Sequence, residues 1–173
     1  MLSNGTFVLG GAASGKSAWA ENLLLSSGLR PVYLATGQAL DAETRARVAV
    51  HVSRRDNRWR TVEAPLDLAA PLAALSPGEA VLIDCATMWL SNHLMADHDL
   101  AAAEAALIDA LSACPVPWII VSNEVGQGIV PENALARKFR EAQGRLNIAL
   151  AARAELAVQV IAGLPLVLKG TLP

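Results

Sequence analysis

The feature that most constrains this chain is the segment Gly10-Gly11-Ala12-Ala13-Ser14-Gly15-Lys16-Ser17, which has the pattern G-x-x-x-x-G-K-S. An apolar run at residues 6–9 precedes it and predicts a strand, and apolar residues at helical spacing follow it until Gly28. Strand, glycine-rich turn and helix in this order are typical of a loop that binds the phosphates of a nucleotide. Every residue of this segment, called the phosphate loop below, is a predicted nucleotide contact.

The residue types of the phosphate loop suit a bound polyphosphate. Backbone N–H groups can surround a phosphate where no Cβ intervenes, as at Gly10 and Gly15. Lys16 brings a positive charge to the outer phosphates, and the Ser17 hydroxyl can bind Mg²⁺. Asp84 ends an apolar strand and would complete the magnesium site in the Walker-B manner. The alternative for Asp84 is an N-cap or a solvated strand end.

Alternating strand and helix patterns predict an α/β fold, with a mostly parallel sheet and helices on both faces. Strands are predicted at residues 6–9, 31–36, 80–84 and 118–122, and helices after the phosphate loop, from Asp41, and at 99–113 and 131–154. The last two strands, 156–162 and 166–169, are close enough in sequence to predict an antiparallel hairpin at the sheet edge. Residues 1–173 are predicted to form a single domain.

The segment around Pro65 and Pro71 is left unassigned. Residues 66–75 are compatible with a helix, but prolines interrupt the surrounding segment. In the long helix, Pro131 suits the first turn. The residues expected to face inward there are Leu135, Phe139, Leu146 and Leu150.

Composition excludes several classes of protein. The chain is 53% hydrophobic with a net charge of −2, so nothing indicates a nucleic-acid partner. No apolar run is long enough to span a membrane and no signal peptide is visible, so a cytoplasmic protein is expected. Cys85 and Cys114 lack the C-x-x-C spacing of zinc sites and redox pairs, so neither zinc nor a disulfide is predicted.

Polar residues end several predicted strands. Thr36, Asp84 and Asn123 stand at the carboxyl ends of strands, where parallel sheets bind ligands, so they should lie along one rim. His93 and His98, by contrast, are expected in an exposed polar segment without a motif.

His51 lies on a predicted basic helix, one turn after Arg47 and one turn before Arg54 and Arg55. Cations this close keep an imidazole neutral and available as a nucleophile, and they can also bind phosphates. A histidine on a basic helix is nevertheless more often a solvated surface residue. The residues alone therefore leave the role of His51 open.

The most specific stretch is residues 123–133, NEVGQGIVPEN, continued by residues 135–137, 139–140 and 144–147. Together with Gly10-Gly11-Ala12 and with residues 34–36, 59–63 and 163–169, it resembles the bifunctional adenosylcobinamide kinase/adenosylcobinamide-phosphate guanylyltransferase family of cobalamin biosynthesis. The resemblance extends from about residue 6 to residue 170 and implies a RecA-like P-loop fold and a homotrimer.

The resemblance implies two reactions. The first phosphorylates adenosylcobinamide with ATP or GTP, with Lys16 as a catalytic residue and Mg²⁺ held by Ser17 and Asp84. The second forms a guanylyl–histidine from GTP and passes GMP to the new phosphate, giving adenosylcobinamide-GDP. His51, four residues after Arg47, matches the histidine of the family. The further nucleotide contacts that the resemblance implies are Ala35, Thr36, Gly37, Val52, Ser53, Arg54, Arg55, Glu63 and Asp84.

The chain departs from the family pattern at two positions. Ala13 stands where the family loop commonly has an arginine, and a lost phosphate contact there would cost about 1.5–3 kcal/mol. Val52 stands where a basic residue is usual.

Glu63 and Glu124 are equal candidates for a general base. The rival hypotheses are a kinase with a single activity, although residues 85–117 show no arginine-bearing lid, and a nucleotide-binding module without catalysis.

Overall fold

A computed structural model describes residues 1–38 and 57–173 of the chain. The strands are β1 (Gly5–Gly10), β2 (Arg30–Ala35), β3 (Arg60–Glu63), β4 (Glu79–Asp84), β5 (Trp118–Asn123), β6 (Leu156–Ile161) and β7 (Leu164–Lys169). The helices are α1 (Lys16–Ser26), α2 (Ala69–Ala73), α3 (Ala86–Met95), α4 (Leu100–Ala113) and α5 (Ala134–Arg153). Among the helices of these two ranges, none has the length and apolar character that crossing a membrane requires.

Within residues 1–38 and 57–173, the sheet contains seven strands in the order β3-β2-β4-β5-β1-β6-β7. Neighbouring strands are parallel except for β6 and β7, which form an antiparallel hairpin. The prediction of a mostly parallel α/β sheet with a C-terminal hairpin edge is confirmed, and the architecture fits a RecA-like P-loop fold. Because β5 lies between β1 and β4, the end of β5 stands between the phosphate loop and Asp84.

Apolar side chains fill both faces of the sheet, because successive residues of a strand point to opposite sides. On one face, called the α1 face, helix α1 packs over a cluster that includes Val8 and Val121. On the opposite face, helices α2 to α5 cover a second cluster that includes Phe7 and Ile120. Full burial of each large apolar side chain stabilises the fold by about 1.5–3 kcal/mol, so the two clusters fix the sheet firmly beneath its carboxyl ends.

Helix α3 is absent from the predicted elements, although its buried residues recur at helical spacing. The N-cap of α3 is Cys85, whose sulfur accepts a weak hydrogen bond from Met88 N. Helices usually begin at Ser, Thr, Asp or Asn, so the sequence shows no recognisable start for this helix. Its buried residues are Ala86, Thr87, Trp89, Leu90 and Leu94.

Strand β3 is absent from the predicted strands, and α2 lies within the segment that the prolines left unassigned. Strand β3 is short and mostly exposed, so it lacks the alternation that marks a half-buried strand. The predicted helix at 66–75 is reduced to five residues in α2. It begins after Asp67, whose Oδ1 accepts hydrogen bonds from Ala69 N and Ala70 N.

The expectation that His93 is exposed is wrong. Its ring lies on α3 and packs against Trp89, with 4.4 Å between the ring centroids. The Nδ1 atoms of His93 and His98 are 3.0 Å apart, and burial lowers the pKa of His93. His93 is therefore part of the packing of α3, whereas His98 is exposed as predicted.

Helix α5 begins three residues later than predicted, so Pro131 lies outside its first turn. The N-cap is Asn133, whose Oδ1 accepts hydrogen bonds from Leu135 N at 2.7 Å and from Ala136 N. Leu135 is 49% exposed, so the prediction that it faces inward is wrong. Leu146 and Leu150 are fully buried, as predicted, and Phe139 packs partly against the same core.

Lys169, at the end of β7, closes the C-terminal end of α5. Its Nζ donates hydrogen bonds to Ala152 O at 2.9 Å, Ala154 O at 2.5 Å and Ala151 O at 3.2 Å. The last carbonyl groups of a helix lack partners within the helix and carry partial negative charge, so a lysine there is favourable.

We expect Lys169→Met to lower the free energy of unfolding by about 1–2 kcal/mol, since charge-assisted bonds to helix carbonyls are lost at a partly exposed site. Urea denaturation of the variant measures this loss. Lys138→Met, on the exposed side of α5, is the matched control and should leave stability nearly unchanged. Equal stabilities for the two variants would show that the Lys169 contacts contribute nothing.

Candidate nucleotide site

The phosphate loop has the geometry that its glycines predict. Helix α1 begins at Lys16, and Gly15 before it has a φ of 88°, which favours glycine. A Cβ at Gly10 would lie 2.8 Å from Val160 O and would also collide with the Ser14 side chain. Any larger residue at Gly10 would therefore displace the loop.

Lys16 and Asp84 face the same space. Lys16 Nζ donates a hydrogen bond to Gly11 O at 2.9 Å, which folds the side chain over the loop. Burial lowers the pKa of Lys16, and the nearby negative charge of Asp84 opposes that shift. Asp84 is partly buried at the end of β4, and the N-cap of the following helix is Cys85. The alternative that Asp84 is an N-cap is therefore wrong.

The predicted rim of strand ends is confirmed by the register of the sheet. Asn123 pairs with Gly10, Ala35 pairs with both Asp84 and Glu63, and these residues close β5, β1, β2, β4 and β3. Neighbouring strands are about 4.8 Å apart, so Asp84 lies about 10 Å and Glu63 about 19 Å across the sheet from β1. The rim thus extends well beyond the phosphate loop.

Thr36 lies in the floor of this rim. It is fully buried, and its hydroxyl donates to Cys85 O and accepts from Cys85 N, both at 2.7 Å. Thr36 N also donates to Asp84 O, and the Asn92 side chain donates to both Thr36 O and Pro65 O. Thr36 therefore fixes the backbone next to Asp84, and its side chain offers no surface to a nucleotide.

A buried polar network behind β5 escaped the sequence analysis. Ser122 Oγ donates to Asn147 Oδ1 at 2.6 Å, and Gln143 Nε2 donates to both of these oxygens. Thr87 Oγ1 accepts a hydrogen bond from Asn123 N at 2.8 Å. The signal in the sequence was the pair of amides at i and i+4 on the apolar stripe of α5, where polar residues require partners.

The C-terminal hairpin supports the phosphate loop, which the sequence did not predict. The hairpin turn consists of Ala162 and Gly163, both with positive φ (52° and 80°), as in a type I′ turn. Gly163 N donates a hydrogen bond to Ser14 O at 2.8 Å. Residues 163–169 are among the stretches that carry the family resemblance, and part of that stretch thus has a structural role beside the phosphate loop.

Glu124 directly follows β5 beside the phosphate loop, but its carboxylate is turned toward the backbone of the loop after β5. Glu124 N donates to Gly10 O at 3.0 Å. Its Oε1 accepts a short hydrogen bond from Gly126 N, and Arg140 donates to Gly126 O. Glu124 therefore organises the loop after β5 in this conformation.

The remaining predicted contacts fall into two groups. Within the described residues, Ala12 and Ala13 are exposed on the phosphate loop, Ser17 is partly buried in the first turn of α1, and Gly37 directly follows Thr36. Residues Arg47, His51, Val52, Ser53, Arg54 and Arg55 lie outside the described residues.

Comparisons by sequence agree on one family. Residues 6–168 match the family described as cobinamide kinase / cobinamide phosphate guanyltransferase. The chain is 45% identical over 166 residues to the bifunctional adenosylcobalamin biosynthesis protein CobP of Pseudomonas aeruginosa, covering 94% of this chain and 96% of that protein. It is 41% identical over 178 residues to CobU of Salmonella typhimurium, covering 94% and 98%. A solved structure from Pyrococcus horikoshii shares the fold, with a TM-score of 0.54 at 8% identity over 98% of this chain and 88% of that one.

Proposed function

Because the chain belongs to the cobinamide kinase / cobinamide phosphate guanyltransferase family, it is a bifunctional enzyme of adenosylcobalamin biosynthesis, and we propose that its nucleotide chemistry takes place at the phosphate loop. The observation that carries this proposal is the geometry around Lys16. A glycine-rich turn at the start of α1 presents backbone N–H groups, and Lys16 and Asp84 stand together beside it.

In the kinase step, the terminal phosphoryl group of ATP or GTP passes to the hydroxyl of adenosylcobinamide. Such transfers depend mainly on positioning and on neutralising charge. Lys16 binds the outer phosphates, and the helix dipole of α1 favours the same negative charge.

Ser17 and Asp84 fit a magnesium site. The described residues contain no group of three or more His, Cys, Asp or Glu that could enclose a metal. Mg²⁺ in nucleotide sites is bound through one or two protein oxygens and the substrate phosphates, so a hydroxyl and one carboxylate suffice. When bound, Mg²⁺ would neutralise charge on the phosphates.

In the guanylyltransferase step, a ring nitrogen of His51 attacks the α-phosphorus of GTP, and pyrophosphate leaves with the electron pair. A phosphate oxygen of adenosylcobinamide phosphate then attacks the same phosphorus, which releases His51 and gives adenosylcobinamide-GDP. Arg54 and Arg55, with Val52 and Ser53, would contact this nucleotide. A covalent intermediate divides one difficult transfer into two easier ones.

The remaining contacts can be assigned by position. Ala35, Gly37 and Glu63 lie along the rim, with Glu63 about 19 Å from β1, so Glu63 suits the nucleoside end better than the phosphates. Thr36 acts through the backbone of Cys85. The cytoplasm, where ATP and GTP are available, is the proposed location.

A homotrimer is the proposed assembly, with adenosylcobinamide bound at a subunit boundary because its ring system is large for a pocket within one such chain. The edge strand β7 and the turn before it expose apolar side chains that a second copy could cover. Leu164 is 71% exposed, and Leu166 and Leu168 are each 53% exposed.

Incubation with GTP is expected to add one acid-labile guanylyl group to the protein, which intact-mass spectrometry detects. His51→Ala should abolish this adduct and the guanylyltransferase reaction, while phosphorylation of adenosylcobinamide continues. His98→Ala, which replaces an exposed histidine, is the matched control and should label normally. An unlabelled protein that still forms adenosylcobinamide-GDP, or a fully labelled His51→Ala variant, would eliminate the histidine intermediate.

A further inference from the structure

Asn123 is the last residue of β5, and hydrogen bonds hold both its backbone N–H and its backbone C=O. Asn123 N donates to Thr87 Oγ1 at 2.8 Å, and Asn123 O accepts from Asn147 Nδ2 at 3.3 Å. The supporting side chains come from α3 and α5, which pack on the same face of the sheet. Side chains of two helices thereby fix the backbone from which the Asn123 side chain extends.

The side chain of Asn123 points to the α1 face. Val121 belongs to the cluster beneath α1, whereas the Ser122 hydroxyl binds Gln143 and Asn147 of α5 on the opposite face. Alternation along the strand therefore directs Asn123 to the side of α1. Its carboxamide is partly buried and makes no hydrogen bond to the described residues. A donor and an acceptor are thus available on the side of Lys16 and Asp84.

The register places this carboxamide between the two halves of the nucleotide site. Strand β5 lies between β1 and β4, and Asn123 pairs with Gly10 at the start of the phosphate loop. Asp84 pairs with Val121, so Asn123 stands two residues further along, beyond Asp84 toward the open end of the sheet. A terminal phosphoryl group held by Lys16 on the α1 face would lie against this position.

We infer that Asn123 is a catalytic residue of the kinase step, in which its Nδ2 donates a hydrogen bond to an oxygen of the transferring phosphoryl group. The substrate hydroxyl oxygen forms a bond to the γ-phosphorus, the bond from that phosphorus to the bridging oxygen breaks, and the electron pair remains on the nucleoside diphosphate. The hydroxyl proton is released to water. Asn123 stabilises the charge on the phosphoryl oxygens and takes no proton, which suits a transfer governed by positioning.

This inference rests on the proposed nucleotide site at the phosphate loop, and it predicts an effect confined to the terminal phosphate. Asn123→Ala should weaken binding of the β,γ-imido analogue of ATP about tenfold while the Kd of ADP stays within about twofold, as expected for one lost hydrogen bond. The kcat for adenosylcobinamide phosphorylation should fall about 10²-fold. Asn123→Asp, with a repelling charge, should be slower still. Gln159→Ala, an amide on β6 directed to the opposite face, is the matched control and should resemble the unmodified enzyme.

Calorimetric titrations and a product assay separate the outcomes. If Asn123→Ala weakens ADP and the imido analogue equally, or leaves kcat unchanged, the inference is overturned. Lys16→Met tests the site itself, since it should weaken both nucleotides. A variant of Lys16 that binds both normally would contradict the proposed site, whereas normal behaviour of Asn123→Ala beside a weakened Lys16→Met would contradict the role of Asn123 alone.

Discussion

Replacing Lys16 with methionine is expected to slow the phosphorylation of adenosylcobinamide by about 10³-fold, the upper end of the effect of one electrostatic contact to a transition state. Lys16 is the mobile cation of the phosphate loop, and it stands beside Asp84 with its Nζ over Gly11. Methionine keeps the length of the side chain but cannot neutralise the charge of the transferring phosphoryl group. A product assay that separates adenosylcobinamide from its phosphate measures the rate.

The fold should tolerate this replacement. Burial already disfavours the charged form of Lys16, so an apolar side chain there removes a desolvation cost as well as one hydrogen bond. We expect the free energy of unfolding to change by less than about 1 kcal/mol. Lys138→Met, at an exposed position on α5, is the matched control for both assays. Full kinase activity in Lys16→Met would show that the reaction occurs elsewhere.

Thr36→Val is expected to destabilise the protein by about 2–4 kcal/mol, because it leaves the buried N–H and C=O groups of Cys85 without their partner. The replacement has nearly the same shape, so lost packing contributes little. Asp84 directly precedes Cys85, and its backbone should shift, which we expect to lower the kinase rate by at least about tenfold, the equivalent of 1.4 kcal/mol. Urea denaturation and the product assay measure the two effects.

Thr36→Ser distinguishes hydrogen bonding from packing. Serine retains the hydroxyl and removes one methyl group, so stability should fall by only about 1 kcal/mol and the kinase rate should remain close to normal. If valine and serine destabilise equally, the bonds to Cys85 are not the reason for the effect. If Thr36→Val weakens nucleotide binding without loss of stability, Thr36 contacts the nucleotide directly.

The parts of the site that local patterns encode could be predicted from the sequence. The phosphate loop is contiguous, and its glycines, Lys16 and flanking elements follow rules that act within a few residues. Asp84 and Asn123 could be placed on one rim because parallel strands align their carboxyl ends, and the register confirms that placement. Only the fold class was needed for that step.

The missed features depend on contacts between distant residues. In the sequence, Thr36 looks like a polar strand end. Only the pairing of β2 with β4 shows that its hydroxyl is hydrogen-bonded to the backbone of Cys85. Helix α3 begins at a cysteine, which no capping rule favours. In the sequence, Glu63 and Glu124 were equal candidates for a general base. The sheet order separates the two residues, and the Glu124 carboxylate accepts a hydrogen bond from Gly126 N.

The hydrogen bond from Gly163 N to Ser14 O has a consequence for how the chain is made. Strand β1 and the segment around Ser14 are synthesised early. The strands that flank β1, which are β5 and β6, and the turn at Gly163 leave the ribosome much later. Contacts this far apart in sequence cannot form before the late segments exist. A nascent chain should therefore gain affinity for nucleotide only after the turn at Gly163 has left the ribosome.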